Sequence, residues 1–257
     1  MSPGSTRNTK RFGIVLAVVA FLFLTVSAPR TAEAEWNYDL AVYLFALGLD
    51  GEMTVMGQTA EVDVGFSDIL EDLQFAFSTH FEARKQDANW GILFDVYLAQ
   101  LGSDLDMPKG QYDMDMTFLE VGGTYQTGSE FDLLYGIRYI TMDALLRVDA
   151  PFPPPFQPSG QVGGDQDWAD FFVGGRLKKR MGERWTLIPR LDLAGFGLTD
   201  GSDLTWNLQL LAQVQTTEKF SLLLGYRYMD IDYENTKDLF AMDVTLAGPV
   251  VAANWHW

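Results

Sequence analysis

The sequence predicts an all-β chain: a single antiparallel transmembrane β-barrel of about ten strands, eight to twelve being possible, with a short helix in the first long link. Three observations carry this reading. Apolar residues recur with period two through most of the chain, the spacing that sends alternate side chains to opposite faces of a strand. Tight turns alternate with longer links, as in a barrel built from hairpins. Aromatic and basic residues gather at the tight turns, whereas acidic residues crowd the longer links. Composition agrees, because 18 Phe, 10 Tyr and 7 Trp favour strands and the lack of cysteine excludes a disulfide framework. The net charge of −17 argues against nucleic acid as a partner, since a phosphate backbone is held by basic surfaces.

The first 34 residues read as an export signal. Arg7, Lys10 and Arg11 form a basic end, residues 12–28 are almost unbroken apolar sequence, and Ala32-Glu33-Ala34 offers a small-x-small cleavage site after Pro29. A membrane-anchoring helix is the competing reading, because the apolar stretch lies near the lower limit for spanning. The expected organisation is therefore a cleaved signal (1–34) followed by one barrel domain (35–257). Cleavage removes Arg7, Lys10, Arg11 and Arg30 but only one acid, Glu33, so the net charge moves from −17 to −20. No later segment is long and apolar enough to read as a transmembrane helix.

The strands follow in order. Residues 36–47 open the barrel. In 75–84 one face carries Phe75, Phe77, Phe81 and Ala83, the other Ser78, His80, Glu82 and Arg84. Residues 90–101 set Trp90, Ile92, Phe94 and Val96 against Gly91, Asp95 and Tyr97. Segments 117–125, 131–139, 169–177, 185–193, 206–214 and 220–228 repeat the pattern, and 239–257 closes the set. Tight turns fall at 86–89, 127–130, 181–184 and 216–219, with longer links at 48–73, 102–112, 147–165, 198–203 and 234–238. An even strand number puts both termini at the tight-turn end. Segment 52–64 has the composition for an extra hairpin, and Gly248-Pro249 interrupts parity in the last strand, which predicts a bulge.

Period two alone does not say which face meets lipid, since a soluble barrel alternates with its apolar face inward. The end-to-end sorting decides. Trp36, Trp90, Phe131, Trp185, Phe220 and Trp257 fall at one level, the expected girdle of a membrane interface. Arg84, Lys85, Lys178, Lys179, Arg180, Arg184 and Lys219 sit at the tight turns, and only Lys109, Arg147 and Lys237 lie in the longer links. The ending Asn254-Trp-His-Trp257 is similar to the terminal aromatic signature of bacterial outer-membrane barrels, although Phe is the usual last residue there. That similarity implies a bacterial outer membrane with periplasmic termini. It also implies outer-membrane lipid and lipopolysaccharide as surroundings, and insertion by the barrel-assembly machinery.

With the apolar face toward lipid, the lumen collects Glu82, Arg84, Asp95, Glu120, Arg138, Asp170, Arg176, Arg190, Asp192, Arg227 and Asp243. Gly136-Ile-Arg-Tyr139 and Gly225-Tyr-Arg-Tyr228 repeat one design, with glycine and arginine inward and aromatics outward. A barrel of about eight to ten strands is only just wide enough to be filled by its side chains. Two readings stay open: a packed, salt-bridged plug, and a narrow, porin-like, cation-preferring path beneath an acidic outer mouth.

Between residues 60 and 73 the period shifts toward that of a helix. Phe66, Ile69, Leu70 and Leu73 share one face, and Ser67 or Asp68 is placed to cap the start. Such a helix either plugs the mouth or packs on the rim. The stretch resembles a motif of small, largely uncharacterised Gram-negative outer-membrane proteins. Its elements are Trp36 and Tyr38 in an opening strand, then Val62 to Val64, Phe66 and Asp68 to Leu70, then Glu82 to Arg84. The resemblance covers residues 36–101 and implies fold and location, with no activity attached.

Asp-x-Asp pairs at 104/106, 113/115 and 230/232 point their carboxylates one way along a strand, and would share a hard cation only if their links adjoined. Solvated rim charge is expected, with diffuse Mg²⁺ or Ca²⁺ bridging to lipopolysaccharide phosphates. Ten strands is also the architecture of omptin-type outer-membrane proteases, which implies a His–Asp pair at the outer rim. His80 lies mid-strand and His256 is penultimate, so neither reaches an outer link. Ser78, His80 and Glu82 share a face, but residues two apart stand about 7 Å apart, too far for a Ser–His hydrogen bond. The sequence thus predicts no catalytic residue, metal site or cofactor. A structural barrel or narrow pore is expected, a surface-binding or adhesion barrel is the alternative, and a protease-like or lipid-modifying enzyme comes third. No oligomeric state is legible.

Overall fold

The computed structural model describes residues 36–55, 57–106, 109–148, 160–198 and 200–257. The expected export signal (1–34) and the proline run of the third long link fall outside them, as do the side chains of Leu70 and residues 103–106. The elements are β1 (Trp36–Phe45), β2 (Gly48–Val55), β3 (Gln58–Val64), α1 (Phe66–Asp72), β4 (Leu73–Lys85), β5 (Trp90–Asp106) and β6 (Lys109–Gln126). They continue with β7 (Phe131–Val148), β8 (Gly160–Leu177), β9 (Lys179–Met181), β10 (Trp185–Gly195), β11 (Leu204–Thr217), β12 (Phe220–Asn235) and β13 (Phe240–His256).

Ten strands close the barrel. In the order β1, β4, β5, β6, β7, β8, β10, β11, β12, β13 each pairs with the next, and β13 returns to β1. β2 continues β1 along β13 without a change of register, Phe45 facing Val250 and Gly48 facing Ala247. β2 and β3 form the extra hairpin, which begins at Gly48 rather than at residue 52. The short gap at Ala46-Leu47 lies opposite Gly248-Pro249, where Pro249 has no N–H to donate. The bulge expected there does not form: β12 and β13 keep one register from Phe220 opposite Trp255 to Asn235 opposite Phe240. Register shifts occur instead between Leu73 and Phe75 and between Gln215 and Thr217.

Partners followed from Asp39 through Glu82, Leu93, Gly122, Gly136, Phe172, Ala194, Thr205, Ile231 and Val244 lead back to Gly51 on β2, the continuation of β1, a stagger of 12 residues. With about 3.3 Å per residue and about 4.8 Å between strands, this stagger tilts the strands by roughly 40° and sets a backbone radius of about 10 Å. Long side chains from opposite walls of such a barrel meet at its axis.

One parity runs the length of each strand, but the chemistry of the two faces inverts part-way. On β12 the outward Leu222, Leu224 and Tyr226 are exposed, while Ser221, Gly225 and Arg227 face the lumen. Beyond Tyr228 the inward Met229, Ile231 and Tyr233 are buried and Asp230, Asp232 and Glu234 face out. The lower zone repeats around the barrel, with Val121, Ile137, Phe171, Val173, Leu208 and Val251 exposed. On β12 it rises about 20 Å, close to the apolar band of about 25 Å on membrane barrels. The stacked Trp206 and Tyr228, 4.8 Å between ring centres, mark its upper edge. Above that edge the chain is built like a water-soluble barrel, with Met116, Ile140, Met142, Met229, Ile231 and Met242 in an apolar core. Much of the expected link sequence is therefore strand.

Candidate functional site

The lower lumen holds two tiers of charge. In the upper tier Arg138 donates from Nε to Glu120 at 2.8 Å and from Nη2 to Asp192 at 2.6 Å. Arg190 grips the same carboxylates, Nε to Asp192 at 2.7 Å and Nη2 to Glu120 at 2.8 Å. Asn207 donates to Asp192 and accepts from Arg227 Nε, each at 2.8 Å. Gly122 and Gly136 leave the space this tier needs. A Cβ at either would lie 2.3 Å from a backbone oxygen, and the Phe172 ring covers both. The Arg138 and Arg190 guanidiniums lie 5.4 and 5.8 Å from the centre of that ring. Two carboxylates thus face three guanidiniums.

The lower tier lies toward the tight turns. Arg176 reaches Glu82 at 3.0 Å and Asp132 at 2.7 Å, and Arg84 reaches both at 2.9 Å. Lys178 stays 3.7 and 3.8 Å from the same two carboxylates. Between the tiers Asp95 accepts from the Tyr43 hydroxyl at 2.7 Å and from His80 Nδ1 at 3.0 Å.

Glu82, Asp95, Glu120, Arg138, Asp170, Arg176, Arg190, Asp192 and Arg227 all face the lumen. Asp243 does not. The unbroken β12–β13 register carries the inward parity of Asn254 and Val250 up to Met242 and turns Asp243 to solvent. Asp170 joins neither tier: it accepts from Ser202 N and Oγ at 2.8 Å, and Ser202 Oγ accepts from Trp168 Nε1 at 2.8 Å. Sequence reasoning passed over Asp132, Asn207 and Tyr43 and placed Lys178 at a tight turn rather than in the lumen, although the parity of Arg138 already makes Asp132 inward.

The helix starts from Gly65 rather than from Ser67 or Asp68, and Asp68 accepts from the Gly65 N–H at 3.3 Å. It is a rim element that seats Ile69 in the upper core, with Leu73 packed against that core and Phe66 exposed. At the tight-turn end Trp36 packs edge-on against Trp90 at 5.1 Å, Trp257 stacks on Tyr38 at 5.8 Å, and Phe220 meets Trp255 at 5.3 Å. Phe131 lies over Gly175, and Trp185 is exposed.

At the closing seam His256 Nδ1 bonds Asp39 at 2.5 Å and Nε2 meets Ser221 Oγ at 2.8 Å. The connectivity is that of a nucleophile, a base and an acid. The surroundings differ: Ser221 is fully buried, its Oγ also accepts from Gln213 Nε2 at 2.9 Å, and the residues around it are held in the strand ladder. The three residues stitch β12, β13 and β1 together.

Below the upper tier lies a cavity of about 120 Å³, walled by Tyr43, His80, Gln209 and Arg227 on its polar side and by Ile188, Leu211, Leu223 and Val250 on its apolar side. It adjoins a mouth of about 520 Å³ at the tight-turn end, the two sharing Asp39, Lys178 and Gln213. Among the described residues, no group of three or more His, Asp or Glu is arranged to hold a metal ion.

On the outer face of the upper zone, carboxylates stand opposite one another across strands. Asp115, Asp143 and Asp165 form one row, and Asp232, Asp243, Glu52 and Glu61 another. Partial burial, then the charges of Asp243, Asp203, Asp230 and Glu234, raise Asp232 above the ordinary aspartate range. The pairs 113/115 on β6 and 230/232 on β12 lie on opposite sides of the barrel, so the shared cation site weighed for adjoining links does not form.

The chain matches no protein-family model and no curated protein. Among solved structures it is similar to the outer membrane protease OmpT of Escherichia coli, at 7% identity and a TM-score of 0.47, over 90% of this chain and 99% of that one. It is also similar to Ail, the attachment invasion locus protein of Yersinia pestis, at 8% identity and a TM-score of 0.40, over 87% and 99%. Neisserial surface protein A follows at 10% identity and a TM-score of 0.31, over 87% and 96%. At these values the barrel rests on the chain's own strand register, and no activity passes from these proteins to it.

Proposed function

We propose that the chain is a bacterial outer-membrane β-barrel, closed to flow, that serves as a structural, surface-exposed scaffold with both termini on the periplasmic side. The observation that carries this is the filled lumen. Glu120, Arg138 and Asp192 are at most 2% exposed, and Ile140, Met142, Met229, Ile231 and Met242 above them at most 3%. Continuous exposed apolar surface around the lower zone supports lipid as its surroundings, because water-soluble proteins rarely expose such a belt. On this reading outer-membrane lipid packs on the belt. The acidic collar faces lipopolysaccharide, with divalent cations bridging carboxylates to phosphates, and the barrel-assembly machinery inserts the chain. Catalysis has no part in it.

Planar-bilayer recording tests the closed lumen. The refolded protein is expected to give no stepwise current, whereas cation-selective steps would establish the narrow pore instead. Solubility without detergent, or no heat-dependent shift in gel mobility, would remove the membrane reading itself. The alternative of a surface-binding barrel draws on the opposed carboxylate rows, since like charges directly opposite destabilise a sheet. Retention on cationic beads that Asp232→Asn and Asp243→Asn together abolish would favour it.

A further inference from the structure

We infer that the cavity below the upper tier binds a small monoanionic carboxylate bearing a short alkyl group, reached from the tight-turn mouth; this rests on the reading of that mouth as periplasmic. The cavity measures about 120 Å³. Its three carboxylates are already engaged. Glu82 is held by Arg84 and Arg176, Asp95 by Tyr43 and His80, and Asp39 by His256 and Asn254.

Two of its cations are held only by long ion pairs. Arg227 is 5% exposed and donates only through Nε, to Asn207, while Nη2 stays 3.8 Å from Glu120. Lys178 comes no nearer than 3.7 Å to any carboxylate. The Arg227 guanidinium also lies 5.4 Å from the centre of the Phe45 ring, and its terminal nitrogens, which make no hydrogen bond, leave room for an acceptor. The cavity wall carries Arg176, Lys178, Arg190 and Arg227 against Asp39, Glu82 and Asp95, a surplus of one positive charge that makes that acceptor an anion.

The opposite wall is apolar, formed by Ile188, Leu211, Leu223, Val250 and Ala252. A single carboxylate meets both demands: its oxygens accept from Arg227 and Lys178, and its alkyl end rests on the apolar wall. A phosphate dianion overshoots a surplus of one charge and sets charged oxygens against Leu211 and Leu223. The volume, equal to about four water molecules, limits the chain to roughly four carbons.

The test is calorimetric titration of the full chain, refolded in non-ionic detergent, with butyrate, butylammonium and inorganic phosphate as probes. Saturable binding of butyrate alone is expected. Lys178→Gln should weaken it about tenfold, the scale of one charge-assisted hydrogen bond. Ala252→Phe, which fills the cavity, should abolish it. Each variant is first shown to keep its heat-shifted gel mobility. Absence of saturable butyrate binding, equal binding of phosphate, or butyrate binding that survives Ala252→Phe overturns the inference. A folded barrel that binds butyrate but conducts in planar bilayers overturns the closed scaffold and supports this site, whereas a silent barrel that does not bind overturns the site alone.

Discussion

Glu120→Gln removes one charge and almost no volume, whereas Arg138→Met removes a long cation and two charge-assisted hydrogen bonds. Size alone ranks the arginine change as worse; the charge balance of the upper tier reverses that order. Glu120 and Asp192 face Arg138, Arg190 and Arg227, and Glu120→Gln leaves Asp192 alone against three guanidiniums. Glu120 is 2% exposed and Arg138 0%, so solvent does not compensate. Breaking a buried pair in this way costs about 3–5 kcal/mol. Arg138→Met instead leaves both carboxylates with Arg190, at 2.7 and 2.8 Å, and Glu120 also with Arg227 at 3.8 Å, two charges against two. It also removes Nη1, which is buried without a partner. Its expected cost is about 1–2 kcal/mol. The two variants should therefore differ by at least about 1 kcal/mol, roughly fivefold in unfolding equilibrium. Urea unfolding in phospholipid vesicles, followed by tryptophan fluorescence and by gel mobility, measures both. Equal stabilities, or a less stable Arg138→Met, would refute the charge count.

Asp232 takes up a proton more readily folded than unfolded, so its ionisation opposes folding above its raised folded value, and the penalty disappears below the unfolded value of about 3.9. Asp232→Asn should accordingly raise the melting temperature at pH 7 and leave it unchanged at pH 3; no change at pH 7 would count against the collar repulsion. Trp168→Ala removes the stack on Tyr233 at 4.0 Å and the bond to Ser202, and should cost about 3–5 kcal/mol in the same unfolding assay. Bilayer currents should stay absent in that variant, because the charge tiers still close the lumen beneath. A fluorophosphonate probe should leave Ser221 unlabelled, and His256→Ala should lower stability by about 1–2 kcal/mol by freeing Asp39 and Ser221 at the seam. Stoichiometric labelling would make the triad catalytic.

Strand number and turn positions were legible because both are local. Residues two apart in a strand share a face, so Phe75, Phe77 and Phe81 define an outward face as surely as Glu82 and Arg84 define a lumenal one. The same logic failed at Asp243, where Pro249 was read as a break in parity; a proline with its missing N–H toward the β1–β2 gap needs no bulge. The upper zone was illegible for a different reason. Met229, Ile231 and Tyr233 alternate with Asp230, Asp232 and Glu234 as regularly as the lower zone does, but with the opposite assignment of faces to solvent. Read alone, that stretch passes for an acidic link.

What the sequence determined by itself, then, is the alternation, the hairpin turns, the aromatic level at the tight-turn end and most of the charges sent inward, Asp243, Asp132 and Lys178 being the exceptions. Only the tertiary structure decided which of those charges meet. Arg176 and Glu82 are 94 residues apart, Arg190 and Glu120 are 70, and Asp39 and His256 are 217. Their contacts depend on a stagger of 12 residues accumulated around ten strands, a sum that no single strand encodes. The same stagger sets the radius, and the radius determines that the lumen closes on its own side chains except at the cavity beneath Arg227.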